Sequence, residues 1–228
     1  MACLGRPGCR GWAGASLVLV VVLALAACTE SVAGRAMRAT DRSSRLPTSA
    51  KPARARDLLL QDGDRAPFGQ VTQSRVGDSY FTSAVPPECS AALLFKGSPL
   101  RPDGSSDHAE AAYNVTGPLP YAESVDVYTN VLNVHDVVWN GFRDVSHCRG
   151  DAVGVSRAGR STPMRLRYFA TLSDGVLVWT MSNPRWTCDY GLAVVPHAVL
   201  VLSACGFKPG FPMAEWASKR RAQLDSQV

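Results

Sequence analysis

Apolar and polar positions change rhythm several times along the chain, and each rhythm predicts an element. Leu17 to Leu25 is an unbroken apolar run of about a dozen residues counting its flanks, short of the ~20 that a membrane-crossing helix needs. Phe68 to Gln73 suggests a first strand. Pro86-Pro87-Glu88 opens a predicted helix running through Cys89 to Phe95, because proline fits the first helical turn. The Gly/Ser/Pro/Asp-rich run from Arg101 to Asp107 reads as a loop.

From Tyr121 to Leu132 the pattern alternates. Val125, Val127 and Thr129 point one way, Asp126 and Tyr128 the other, which predicts a half-buried strand. Asn133 is placed to cap a helix from Val134 to about Ser146. Val134, Val138, Phe142 and Val145 form its apolar stripe, read as core. Met164, Leu166, Tyr168, Ala170 and Leu172 then alternate with Arg165, Arg167, Phe169 and Thr171. Ser173-Asp174-Gly175 turns this strand into a second one, Val176 to Met181. Cys188 to Val195 suggests a short helix stopped by Pro196, and His197 to Ala204 a strand ending at Cys205. Met213 to Leu224 is helix-compatible, with Lys219, Arg220 and Arg221 in its C-terminal half. Together these elements predict an α+β domain, a twisted antiparallel sheet with packed helices.

The first apolar run changes meaning when its flanks are included. Arg6 and Arg10 precede it, and Leu25-Ala26-Ala27-Cys28 closes it with small residues before a cysteine. That is the layout of a leader peptide. The tetrapeptide resembles a bacterial lipobox, which implies cleavage after residue 27 and a diacylglycerol on the Cys28 thiol. Stable anchoring takes more than one acyl chain, and a di- or triacylated Cys28 meets that condition. The expected address is the outer face of a cytoplasmic membrane, with membrane lipid contacted through the Cys28 acyl chains.

Residues 28–56 then read as a polar, basic tether without aromatics. Seven cations (Arg35, Arg38, Arg42, Arg45, Lys51, Arg54 and Arg56) face two anions, Glu30 and Asp41. The chain carries 24 basic and 19 acidic residues. Subtracting the tether and the two leader arginines leaves 15 basic and 17 acidic residues, about −2, for residues 57–228. The folded part is therefore not basic, and its charge gives no support to nucleic-acid binding.

Cys3 and Cys9 leave with the leader, so four cysteines remain in the domain: Cys89, Cys148, Cys188 and Cys205. An even number in an exported chain predicts two disulfides, with three pairings open. A zinc site fits poorly, because no C-x₂-C pair exists. If the last strand folds back beside the short helix that begins at Cys188, Cys188 and Cys205 can meet, leaving Cys89 with Cys148.

The order Pro-Pro-Glu-Cys, strand, helix with Trp139 running into Cys148, hairpin, Cys188, short helix, apolar strand and Cys205 resembles a known family. It is similar to the extracellular sensor domain of the mycobacterial serine/threonine kinase PknH and its lipoprotein relatives, over about Ala84 to Gly206. The resemblance implies a central twisted antiparallel sheet, surrounding helices and a ligand cleft. It also implies the pairings Cys89–Cys148 and Cys188–Cys205. Unlike the kinase, this sequence shows no kinase domain.

Chemistry is sparse. His108, His135, His147 and His197 form neither H-x-x-x-H nor H-E-x-x-H, and His147 reads as a capping or surface residue. The stretch Gly154 to Gly159 is one residue too long for G-x-S-x-G and reads as loop. Neither a P-loop nor G-x-G-x-x-G occurs. No cofactor, metal site or catalytic residue is expected. Trp139, Trp179, Trp186 and Trp216 are expected mainly in core packing, with a glycan or lipid pocket as the rival reading. The expected function is a membrane-anchored, sensor-like module binding a small molecule or protein of the envelope. A scaffolding protein is the alternative, and an envelope hydrolase stands last.

Overall fold

A computed structural model of the chain describes residues 53–67, 69–114, 120–206 and 210–228. Cys28, the leader and most of the tether lie outside the described residues, as does Phe68. In chain order the elements are α1 (Ala55–Leu58), β1 (Arg65–Ala66), β2 (Gly69–Gln70), β3 (Thr72–Ser74) and β4 (Ser83–Val85). A 3₁₀ turn (Pro87–Cys89), α2 (Ser90–Leu93), β5 (Asp107–Asn114), β6 (Tyr121–Val127) and α3 (Val134–Ser146) follow. The rest is β7 (Val153–Ser156), β8 (Gly159–Arg160), β9 (Arg165–Ser173), β10 (Val176–Ser182), β11 (Thr187–Val195), β12 (Ala198–Gly206) and α4 (Met213–Asp225).

Seven strands form one antiparallel sheet in the order β3-β5-β6-β12-β11-β10-β9. The fold is therefore α+β as predicted. Small sheets β1-β2 and β4-β7-β8 lie outside it. Helices cover both faces, so the central strands are buried on both sides. One face packs Tyr121, Val125, Leu200 and Leu202 against α1 and α4, through Leu58, Trp216 and Leu224. The other packs Trp179, Tyr190, Leu192 and Val201 against α2 and α3, through Leu93, Val138 and Val145. The compact unit Ala50–Val228 thus has its own core on each face, as a domain able to fold by itself does.

Burial of both faces corrects two expectations. β6 is buried along its whole length, not half-buried, with Glu123, Ser124 and Asp126 among its buried residues. The segment from Cys188 to Val195 is strand β11, not a helix. It pairs with β10 on one side and β12 on the other, and this pairing overrides the short helical pattern. Pro196 does not stop a helix. With His197 it makes the two-residue turn between Val195 and its partner Ala198. Cys188 and Cys205 are direct partners in that ladder, and their disulfide spans Cα atoms 4.0 Å apart. The second disulfide, Cys89–Cys148, ties the 3₁₀ turn to the residue two beyond α3, with Cα atoms 4.5 Å apart.

Other expectations shift in detail. The helix predicted from Pro86 to Phe95 is a 3₁₀ turn followed by the four-residue α2. The strand predicted at Phe68–Gln73 is split into β2 and β3. Ala55 and Arg56, at the end of the expected tether, belong to α1, with Ala55 fully buried. Gly154 to Gly159 is not a loop but the β7-β8 hairpin.

The β9-β10 hairpin turns at Gly175, whose φ of +98° suits glycine. Its alternation breaks, however. Register shifts between Thr180 and Met181, so that Met181 pairs with Leu166 and Trp179 with Phe169. One extra residue inverts the faces beyond it. Phe169 packs toward α3 beside Phe142, while Tyr168 is exposed. α3 matches its prediction: Asn133 accepts from the Asp136 backbone N–H, Val138 and Val145 are buried, and Val134 and Phe142 pack at the margin. α4 also forms where expected, but Arg220 is buried rather than part of a solvated basic end.

Candidate functional site

Two regions concentrate polar or aromatic chemistry, one on each face of the sheet. On the α4 face, Glu123 of β6 is completely buried. Arg220 approaches it with two donors, Nε at 2.8 Å from Oε1 and Nη2 at 2.9 Å from Oε2. Such a bidentate pair has the fork geometry that suits guanidinium and carboxylate. Tyr121 donates to Oε1 at 2.6 Å, Tyr113 to Oε2 at 3.4 Å, and the Leu60 backbone N–H to Oε2 at 3.3 Å. Arg220 also donates to Leu58 O at 2.8 Å and to Gln223 Oε1 at 2.7 Å. Trp216 Nε1 donates to the Tyr121 hydroxyl at 2.6 Å. Burial, then the Glu123 charge, pushes the Tyr121 and Tyr113 hydroxyls far up, so both stay protonated as donors. Every member is satisfied and enclosed by packing, which makes the cluster a structural pin.

The other face holds an open cleft of about 440 Å³. Six stretches of chain build it. Ser79, Tyr80 and Phe81 come from the segment before β4, and Leu93 and Phe95 from the end of α2 and beyond. Ser161, Thr162 and Met164 precede β9, while Asn183, Arg185, Trp186, Cys188 and Tyr190 follow β10. Ser203, Cys205 and Pro120 close the end. The wall is therefore mostly aromatic, aliphatic and disulfide, with hydroxyls around it. Among the described residues, its lining includes one formal charge, Arg185, and no histidine or carboxylate.

Each wall is braced. Tyr190 stacks on Trp179 at 5.3 Å and donates to Leu93 O at 3.2 Å. Trp179 donates to Ala92 O at 2.9 Å, which fixes α2 against the sheet. Tyr80 packs on Phe95 at 5.1 Å, but its buried hydroxyl has no hydrogen-bond partner among the described residues. Burial first, and then the Glu110 charge, pushes that hydroxyl up. Phe81 lies directly on Gly154, where a Cβ would come within 2.5 Å of its ring. Only glycine at 154 leaves room for this wall. At the mouth, Asn183 Oδ1 accepts from the backbone N–H groups of Arg185 and Trp186, each at 2.9 Å, and its amide donates to Thr162 at 2.7 Å. The turn that carries Arg185 is thereby fixed.

The structure separates the residues singled out in the sequence. Cys188 and Cys205 line the cleft, whereas Cys89 and Cys148 stabilise the edge of α3 away from it. Trp186 alone of the four tryptophans lines the cleft. Trp179 and Trp216 are core residues, and Trp139 is 56% exposed, stacked on Phe142. The histidines do not meet. His108 and Arg101 contact Asp126 at 3.1 and 3.2 Å, His197 contacts Tyr128 O, and His147 caps α3. His135 lies 3.9 Å from Asp174 at the surface. Sequence reasoning missed Arg185, Asn183 and Gly154, whose signals are single residues in turns or strands without a motif.

No family model matches the chain. Among solved structures, it is similar to the crystal structure of the extracellular domain of PknH from Mycobacterium tuberculosis. The match has a TM-score of 0.57 at 15% identity and covers 77% of this chain and 98% of that one. The two share a fold. The likeness to the PknH domain reaches well beyond the stretch from Ala84 to Gly206 on which the cysteine order rests. Both disulfides fall where the resemblance to PknH implied.

Proposed function

We propose that this chain is an extracytoplasmic lipoprotein whose folded domain is a sensor-like module that holds a small ligand in the cleft beside Cys188–Cys205. The cleft carries this reading. At about 440 Å³ it falls within the ~300–1,000 Å³ range of small-molecule sites, and its apolar lining with a few fixed polar groups matches their make-up. Among the described residues the lining has hydroxyls but no carboxylate or histidine to activate them, which supports binding rather than hydrolysis. The lipobox-like Leu25-Ala26-Ala27-Cys28 and the basic run after it support anchoring by acyl chains on Cys28 at the outer face of a cytoplasmic membrane. The fold shared with a domain described as extracellular supports the same side of the membrane.

Native mass spectrometry of the domain Ala50–Val228, exposed to an extract of the producing cell's envelope, tests the ligand reading. The expected result is a reproducible small-molecule adduct that disappears in Ser79→Trp, a substitution at the exposed rim. A domain that stays empty, or an adduct indifferent to Ser79→Trp, would sink it. Address is tested separately. The Cys28→Ala chain should no longer incorporate a labelled fatty acid, and continued labelling would end the lipoprotein reading.

A further inference from the structure

The cleft's charge and volume narrow what can occupy it. Its deep wall is apolar, formed by Phe81, Leu93, Phe95, Met164 and Tyr190. Desolvating an ionised group there would be costly, so the inner part of a ligand must be apolar. About 440 Å³ is the space of roughly fifteen waters at ~30 Å³ each, a size that suits one acyl chain.

The mouth differs. Arg185 is exposed on a turn held by Asn183, and it makes no ion pair among the described residues. No carboxylate among the described lining residues neutralises it. A guanidinium presents several donors in a planar fork and suits a carboxylate or phosphate. A cation fixed at the rim of an apolar, acid-free cleft selects for one end of a ligand, while the wall selects for the other.

We infer that the cleft binds a single-chain amphiphile with an anionic head, its chain along the apolar wall and its carboxylate or phosphate at Arg185. This inference rests on the cleft-binding reading above and adds the ligand's class to it. Binding is non-covalent, and the exposed Ser79 hydroxyl at the rim is available to the carbonyl or ester oxygens nearest the head.

Isothermal titration calorimetry of the domain with four dodecyl probes tests it, each used below its micellar concentration. The probes are dodecanoate, dodecyl phosphate, dodecanol and dodecyltrimethylammonium. The expected result is one-to-one binding of the two anions, each tighter than the alcohol and the cation. Whichever anion binds more tightly identifies the head as fatty-acid-like or phospholipid-like. Arg185→Ala should weaken the anions by roughly tenfold, the size of one charge-assisted hydrogen bond, and leave dodecanol unchanged. Arg185→Lys should restore part of the loss. Ser79→Trp should block all four.

Equal affinity for all four probes, or an anion preference that survives Arg185→Ala, would overturn the head-group inference and leave the cleft as a site. If no probe binds while the envelope extract still yields a Ser79→Trp-sensitive adduct, the amphiphile class is wrong and the cleft reading stands. If no probe and no adduct is seen, both fall.

Discussion

The two faces of the sheet solve the problem of burial in opposite ways. On the α4 face, an acid and a base are brought inside and both are fully paired: Glu123 has five donors and Arg220 four acceptor contacts. On the cleft face, apolar groups are left partly uncovered around an open space, and the Tyr80 hydroxyl is buried with no hydrogen-bond partner among the described residues. An orphan hydroxyl costs roughly 1–3 kcal/mol, whereas a closed network does not incur that cost. The lesson is that the closed Glu123–Arg220 cluster is scaffold, and the face left partly uncovered is where occupancy by another molecule has something to offer.

The comparison breaks most sharply at Arg220. Arg220→Met leaves Glu123 buried without its countercharge and should cost about 3–5 kcal/mol in urea unfolding. The double variant Glu123→Gln/Arg220→Met should recover part of that loss. Cleft binding should be untouched wherever the protein remains folded. If Arg220→Met unfolds with a wild-type midpoint, the pin is not what holds α4.

Next come the disulfides. Replacing both Cys89 and Cys148 by serine opens a 59-residue separation and should cost about 4 kcal/mol. The same change at Cys188 and Cys205 opens 17 residues and should cost about 3 kcal/mol. The second pair should also alter ligand binding, since it lines the cleft, and the first should not. A reversed pattern in binding would mean that the site lies elsewhere.

Gly154→Ala sharpens the contrast from the other side. The added methyl meets the Phe81 ring, so the wall must shift, at about 1–3 kcal/mol of overpacking. Ligand affinity should fall, while the α4 face reports no change in Trp216 fluorescence. The smallest effect concerns Asp189 of β11, whose carboxyl is pushed up by burial, against a 2.7 Å hydrogen bond from Thr180. A raised folded pKa means the folded state holds its proton longer than the unfolded chain. Stability from this group is thus greatest below the ordinary carboxylate range and is lost as pH rises through the raised value. Asp189→Asn should flatten that decline in a melting-temperature series, and an unchanged slope would assign the decline to other groups.

Legibility in the sequence followed the same division between local and long-range determinants. α3 could be read because Asn133 and the stripe of Val134, Val138, Phe142 and Val145 are local signals. The β9-β10 hairpin could be read from Asp174-Gly175, but its bulge could not, and the faces of Tyr168 and Phe169 were exchanged. β11 was misread because a strand covered on both faces has no alternation to show. Glu123 and Arg220 are 97 positions apart and look like ordinary surface residues until β6 and α4 are packed. The cleft draws on stretches that begin at Ser79, Leu93, Ser161 and Asn183, and no spacing rule connects them.

The place where the chain enters the fold has a mechanical consequence. Just past α1, Leu58 O and Leu60 N–H are held by Arg220 and Glu123, and the Ala55 N–H by Asp107 at 2.8 Å. Any tension arriving from upstream of Ala55 therefore reaches β5, β6 and α4 first, on the most tightly bonded side of the molecule. The cleft opens on the other face of the sheet, so such a pull would meet this clasp before it met the pocket.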